Sequence, residues 1–282
     1  MISLRVMLLT ALAMIAFAAN SLLCRVALRD TAIDAVSFTS VRLVAGALTL
    51  WLIVVLRSGK SGVAGSWASA AALFAYAIAF SLAYRSLSAA AGALLLFGAV
   101  QATMIGHGLW SGERLRGGQW LGLVLALGGL AGLLLPGWSA PPLAGAVLMI
   151  AAGIAWGIYS LRGRGAGDAT GATAGNFLRA VPFALVLSLA TLTDARWDPA
   201  GFGYAAASGA IASGIGYAIW YAALPALQAA SAATVQLSVP VIAAAGGILF
   251  LGESLTLRLA LASLAILGGI ALVIFERPQQ QP

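Results

Sequence analysis

Tyr76, Phe80 and Tyr84 are spaced i, i+4, i+8, and Ser213, Tyr217 and Tyr221 repeat that spacing with Trp220 close by. On a helix each set forms one face. Two such faces could stack on flat or apolar groups. Ordinary helix packing, or an interfacial belt, would use the same residue types. Tyr84 and Tyr221 lie near the ends of their apolar runs, where belt and cavity are equally natural places. Trp156 and Tyr159 add rings from another segment, and Trp156 lies well inside its run. Phe17, Asn20 and Cys24 share a face of the first segment. Asn20 carries both a donor and an acceptor, so it could hold an amino or carboxylate group, or bridge two helices. Gln101 and His107 occupy one segment, and Thr234, Gln236 and Ser238 another. A lone His could take up a proton, although near a helix end it serves equally as a hydrogen-bond partner.

The elements that position these groups follow from composition. Hydrophobic residues make up 62% of the 282 residues and charged residues only 8%, against about 25% charge in a soluble domain. Lipid must therefore solvate much of the chain. Its apolar runs are continuous and of helical span length, without the alternation of barrel strands. Ten spans are expected, near residues 5–28, 34–56, 64–84, 88–111, 118–136, 142–162, 173–193, 201–223, 228–251 and 256–275. The fold class is an all-α integral membrane protein. The first run has a signal-like start, but it continues through Cys24 and its pattern recurs, so it reads as the first span. A single Cys and a single His exclude an internal disulfide and Cys-based or multi-His metal sites. No cofactor is expected.

The net charge of +7 comes from Lys and Arg placed singly between the runs, which speaks for loop topology rather than nucleic acid. With the N-terminus cytoplasmic, Arg5, Arg57, Lys60, Arg114, Arg116, Arg162, Arg164 and Arg277 lie inside, against Arg25, Arg29, Arg85, Arg196 and Arg258 outside. That bias favours both termini in the cytoplasm. Arg42 and Arg179 lie within spans. Such an Arg could hold a carboxylate, or snorkel and bind carbonyls; their matching positions favour the structural role. All acidic residues, Asp30, Asp34, Glu113, Asp168, Asp194, Asp198, Glu253 and Glu276, fall at span ends or in loops.

The chain also repeats itself. Gly112-Glu113 and Gly252-Glu253 are 140 residues apart, as are Gly128-Gly129 and Gly268-Gly269. Arg42 and Arg179, and Tyr84 and Tyr221, are each separated by 137. Five spans per copy is an odd number, so residues 1–136 and 137–282 are expected to be two inverted five-helix repeats. The segment QLSVPVIAAAGGILFLGE places Pro240, Gly246 and Gly247 inside an apolar run, which marks them as candidate hinges.

Ten spans in two halves, with a Gly-Glu pair closing the fourth span of each, resemble the drug/metabolite transporter superfamily and its EamA-type members. The aromatic residues look most like bacterial amino-acid exporters of the YddG type. The resemblance implies a secondary carrier, not an enzyme. It would export amino acids, aromatic and apolar ones favoured, by alternating access through a central cavity. Other small metabolites or drugs are the alternative cargo. An integral membrane enzyme would need a catalytic set that the spans lack. By resemblance the third and eighth spans line that cavity. Phe17, Asn20, Tyr76, Phe80, Gln101, Trp156, Tyr159, Ser213, Tyr217, Trp220 and Gln236 become candidate substrate-binding residues, with His107 a candidate for proton coupling. Small relatives that expel cationic drugs use an embedded carboxylate, and none is evident here. The Gly-Glu pairs are expected to cap the following helix, or to form a gate. The expected partners are a small-molecule substrate and the lipid bilayer, with the chain a monomer.

Overall fold

The computed structural model describes residues 3–58, 64–112, 114–137, 140–163, 167–227 and 229–275. Glu113, Lys60, Arg164, Glu276 and Arg277 lie outside the described residues. All regular structure among the described residues is helical. The elements are α1 (Leu4–Asp30), α2 (Ala35–Ser58), α3 (Trp67–Tyr84), α4 (Ala89–Trp110), α5 (Gly117–Leu134), α6 (Leu143–Arg162), α7 (Ala169–Ala190), α8 (Pro199–Ala207), α9 (Gly216–Ala223), α10 (Ala229–Gln236), α11 (Ser238–Leu251) and α12 (Leu257–Phe275). Among the described residues, ten helical stretches are long and apolar enough to cross a membrane. The eighth of these joins α8, a π-helical stretch from Ser208 to Ile215, α9 and a 3-10 turn. The ninth breaks at Leu237, between α10 and α11.

Hydrocarbon offers backbone groups no partner, so spans must end in water or on caps. Three of the acidic residues serve that purpose. Asp34 accepts the N–H groups of Val36 and Ser37 at the start of α2, each at 2.9 Å. Asp168 caps α7 through Gly171 N–H at 3.0 Å, and Asp198 caps α8 through Gly201 N–H at 2.7 Å. Ser88 Oγ accepts from Ala91 N–H at the start of α4. A cap satisfies orphan donors and contributes about 1 kcal/mol.

The packing core is formed by α1, α2, α3, α4, α6 and α7 with the eighth span. α2 packs on α7, α3 on α6, α4 on α6 and α11, and α1 on α9 and α11. α5 and α12 pair with each other, and α5 leaves most of its surface outside the bundle. Exposed Leu, Val and Trp side chains there suit acyl chains. The π-helical stretch packs against α2 and α1. A π turn carries one more residue than an α turn and commonly accompanies functional sites.

Candidate functional site

A cavity of about 350 Å³ lies between α1, α3, α4, α6, α7 and the eighth span. Phe17, Asn20, Tyr76, Phe80, Trp156, Tyr159, Ser213, Tyr217, Trp220 and Gln236 all line it. The aromatic residues form one connected wall centred on Trp156. Its ring stacks on Tyr217 at 5.5 Å and 20°, on Tyr159 at 5.1 Å and 27°, and lies 4.9 Å from Tyr76. Phe17 packs on Tyr217 at 5.4 Å and on Trp220 at 6.2 Å, and Phe80 on Tyr76 at 5.3 Å. Offset and edge-on rings at these separations attract beyond simple burial. Such a wall holds its shape and presents flat faces to a guest.

Two polar groups interrupt the aromatic lining. In one, Tyr159 Oη donates to Thr173 Oγ1 at 3.4 Å and accepts from Asn176 Nδ2 at 3.3 Å. Thr173 Oγ1 in turn donates to Tyr221 Oη at 3.3 Å. In the other, Asn20 Nδ2 donates to Tyr76 Oη at 3.3 Å, and Ser208 Oγ donates to Asn20 Oδ1 at 2.6 Å. Ser208 belongs to the π-helical stretch, which thus helps to position the cavity wall. Sequence reasoning passed over Thr173, Asn176 and Ser208. Each is a small polar residue in a Gly- and Ala-rich run, and only the fold shows which side it faces.

The cavity reaches the end of the bundle that carries the N-terminus. Its lining includes Gly163 after α6, Ala169 at the start of α7 and Leu224 after α9. The opposite end is fastened. Arg25 Nε meets Glu253 Oε1 at 3.2 Å, and Arg25 Nη1 donates to Tyr84 O at 2.9 Å. Glu253 Oε2 accepts Ala89 N–H at 2.8 Å, and Arg29 Nη1 donates to Leu251 O at 2.8 Å. One carboxylate therefore ties α1 and the N-terminus of α4 to the end of α11, where a negative charge also complements the α4 dipole.

The EamA-like transporter family model matches residues 4–135 and again 143–275. The chain belongs to the EamA-like transporter family. That family falls within the drug/metabolite transporter superfamily, so this EamA-like protein is a multi-pass membrane transporter that carries a small molecule across the lipid bilayer. It is 61% identical over 274 residues to uncharacterized protein PA1977 of Pseudomonas aeruginosa, covering 97% of this chain and 96% of that one. A solved crystal structure is similar in fold at a TM-score of 0.68 with 17% identity, covering 95% of this chain and 96% of that chain.

Several residues of the EamA-like transporter stand elsewhere than the spacing predicts. Gln101 is buried but lines a small cleft between α4, α5 and α12, not the central cavity. His107 is exposed on the last turns of α4, with Nδ1 at 3.0 Å from Ser111 Oγ. It has no place in the cavity wall. Glu253 does not cap the helix that follows it; Thr256 Oγ1 does, accepting Leu259 N–H at 3.2 Å. Arg258, near the start of α12, donates to Leu135 O. Tyr84 is fully buried and donates to Ala89 O at 3.3 Å, and Tyr221 lines the cavity, so neither forms an interfacial belt.

Pro240 is buried in the first turn of α11, where an N–H would have no intrahelical acceptor. The chain breaks just before it, with Leu237 N–H bonded to Thr234 O at 3.0 Å and Ser238 Oγ to Val235 O at 2.6 Å. α11 then runs unbroken through Gly246 and Gly247. A Cβ on Gly246 would meet Leu22 of α1, and one on Gly247 would come within 3.3 Å of Ala89 Cβ. These glycines admit close helix contact. Gly252 ends the helix at φ 63°, a left-handed conformation that suits glycine.

Proposed function

We propose that the protein is a secondary carrier that exports amino acids, aromatic and other apolar ones favoured, by alternating access. The observation that carries this reading is the wall of stacked rings around Trp156, lining a cavity of about 350 Å³. Stacking on Trp and Tyr faces favours planar side chains, and hydroxyls and amides at two points of the wall suit the polar end of an amino acid. A cavity that reaches one end of the bundle and is fastened at the other fits one state of an alternating carrier.

The two halves are read as inverted repeats that rock against one another. Contacts between equivalent spans support this: α2 meets α7, α4 meets α11, and α5 meets α12. With both termini cytoplasmic in an inner membrane, as the Lys and Arg placement favours, the cavity faces the cytoplasm. That is the loading state of an exporter. A single chain encloses the whole cavity, in keeping with a monomer. Export of other small metabolites or drugs is the second reading, since stacked rings accept many flat molecules. No carboxylate lines the cavity among the described residues, which disfavours permanently cationic drugs.

Transport of a panel of labelled amino acids in proteoliposomes, with and without a proton gradient, tests the proposal. Saturable flux that phenylalanine, tyrosine or tryptophan inhibits more strongly than glycine is expected. Flux that survives a collapsed gradient marks facilitated diffusion, and flux that needs the gradient marks antiport. Absence of saturable flux for every amino acid would sink it.

A further inference from the structure

Arg42 lies two turns into α2 and is buried, only 1% exposed. A guanidinium keeps its charge under all ordinary conditions, and an unpaired buried charge is costly. Its Nη2 donates to Tyr76 Oη at 3.0 Å. Its Cζ lies 5.3 Å from the centre of the Tyr76 ring and 4.9 Å from that of Phe80, within cation–π range. Nε and Nη1 have no hydrogen-bond partner. No carboxylate answers the charge: among the described residues the ion pairs are Arg25–Glu253 and Arg29–Asp30. Arg179, at the matching place in the second half, differs. Its Nη1 donates to Ala64 O at 2.9 Å and to Gly175 O at 3.0 Å.

The hydrogen bonds around Tyr76 carry the argument into the cavity. Tyr76 Oη accepts from both Arg42 Nη2 and Asn20 Nδ2. With both lone pairs engaged, its own proton is what it has left to offer. Ser208 Oγ, donating to Asn20 Oδ1, turns the amide so that its N–H groups point to the Tyr76 side. Asn20 needs only one of those two hydrogens for Tyr76. Both residues line the cavity. Tyr76 and Asn20 thus present donors here, backed by a cation without a counterion.

We propose that the carboxylate of the transported molecule docks on Tyr76 and Asn20, with Arg42 supplying the countercharge from behind the wall. This deepens the carrier reading above and rests on it. The substrate class becomes small carboxylates with an apolar or aromatic tail, and the amino group is dispensable.

The test is efflux from loaded proteoliposomes, corrected with protein-free liposomes, for four labelled probes: phenylalanine, 3-phenylpropionate, phenylalaninamide and phenyltrimethylammonium. Phenylpropionate should move at a rate comparable to phenylalanine, and the two probes without a carboxylate about tenfold more slowly, as for one lost bond to a charged group. Tyr76→Phe keeps the ring and removes the hydroxyl. It should weaken both carboxylates about tenfold relative to wild type and the amide and the ammonium by less. Arg42→Lys should retain part of the preference for carboxylates and Arg42→Met should abolish it. If the Arg42 variants fail to fold, Tyr76→Phe decides the matter alone. Efflux of all four probes at equal rates, or an equal loss for all four in Tyr76→Phe, overturns the carboxylate anchor and leaves the carrier standing. No efflux of any probe overturns the carrier reading with it.

Discussion

At the scale of single residues, Trp156 holds the cavity together, because it contacts Tyr76, Tyr159 and Tyr217 at once. Trp156→Ala should weaken aromatic substrates roughly tenfold more than alanine, as expected for a lost stacking face. Competition in proteoliposomes reads this, and an equal loss across substrates would indicate a fold defect instead. Asp34 makes a separate prediction. Partial burial pushes its carboxyl up, but the N–H groups of Arg196, Ser37 and Val36 and the Ser37 hydroxyl outweigh burial and hold it below the ordinary Asp range. A carboxyl held low in the folded state contributes fully above its unfolded value, and the contribution is lost as pH falls through the folded one. Thermal melts in detergent should therefore soften as pH drops below about 4, and Asp34→Asn should flatten that part of the profile. Residues such as Trp156 were legible because a large ring deep in a span has few other uses. Arg42 and Arg179 were not. Their matching positions suggested one shared structural role, yet backbone carbonyls satisfy Arg179 and an aromatic pair surrounds Arg42.

At the scale of elements, the spans follow closely from apolar run length, because the bilayer sets that length for every helix. The irregular pieces do not. The π-helical stretch is built of Ser, Gly, Ala and Ile, which also suit an α-helix. Ser88 caps α4 locally, but the N–H of Ala89 is met by Glu253, 164 residues away, beyond any local pattern. Glu253→Gln keeps an acceptor for Ala89 but loses the ion pair with Arg25, whose side chains are only 14% and 10% exposed. It should cost about 1–3 kcal/mol, seen as a lower melting temperature and yield with an unchanged substrate profile. A normal yield with altered selectivity would contradict this fastening role. Gly247→Ala would press a methyl against Ala89 and toward Glu253 Oε2, 2.7 Å away. Overpacking there should cost about 1–3 kcal/mol, and Gly252→Ala should destabilise through backbone conformation instead.

At the scale of the whole molecule, the cavity reaches the end of the bundle that carries the N-terminus. Cysteines placed at Ala169 or Leu224 should react with a membrane-impermeant maleimide from the cytoplasmic side only, and substrate should slow the reaction. The native Cys24 is buried and should stay unmodified. Labelling from the opposite side would reverse the proposed orientation. The wide turns of the eighth span also bear on how the chain tolerates a change in length. An extra residue in a helix ordinarily rotates everything beyond it by about 100°. A π turn absorbs that residue locally, so Tyr217, Trp220 and Tyr221 keep facing the cavity. Deleting Ile211, which points outward from the π-helical stretch, would remove the slack and let the span close into a continuous α-helix with its walls in register. Deleting one residue from α9 would leave no such reserve, and the rings would turn away from the guest. The π-helical stretch is therefore where the loss of a residue should leave the faces on either side in register.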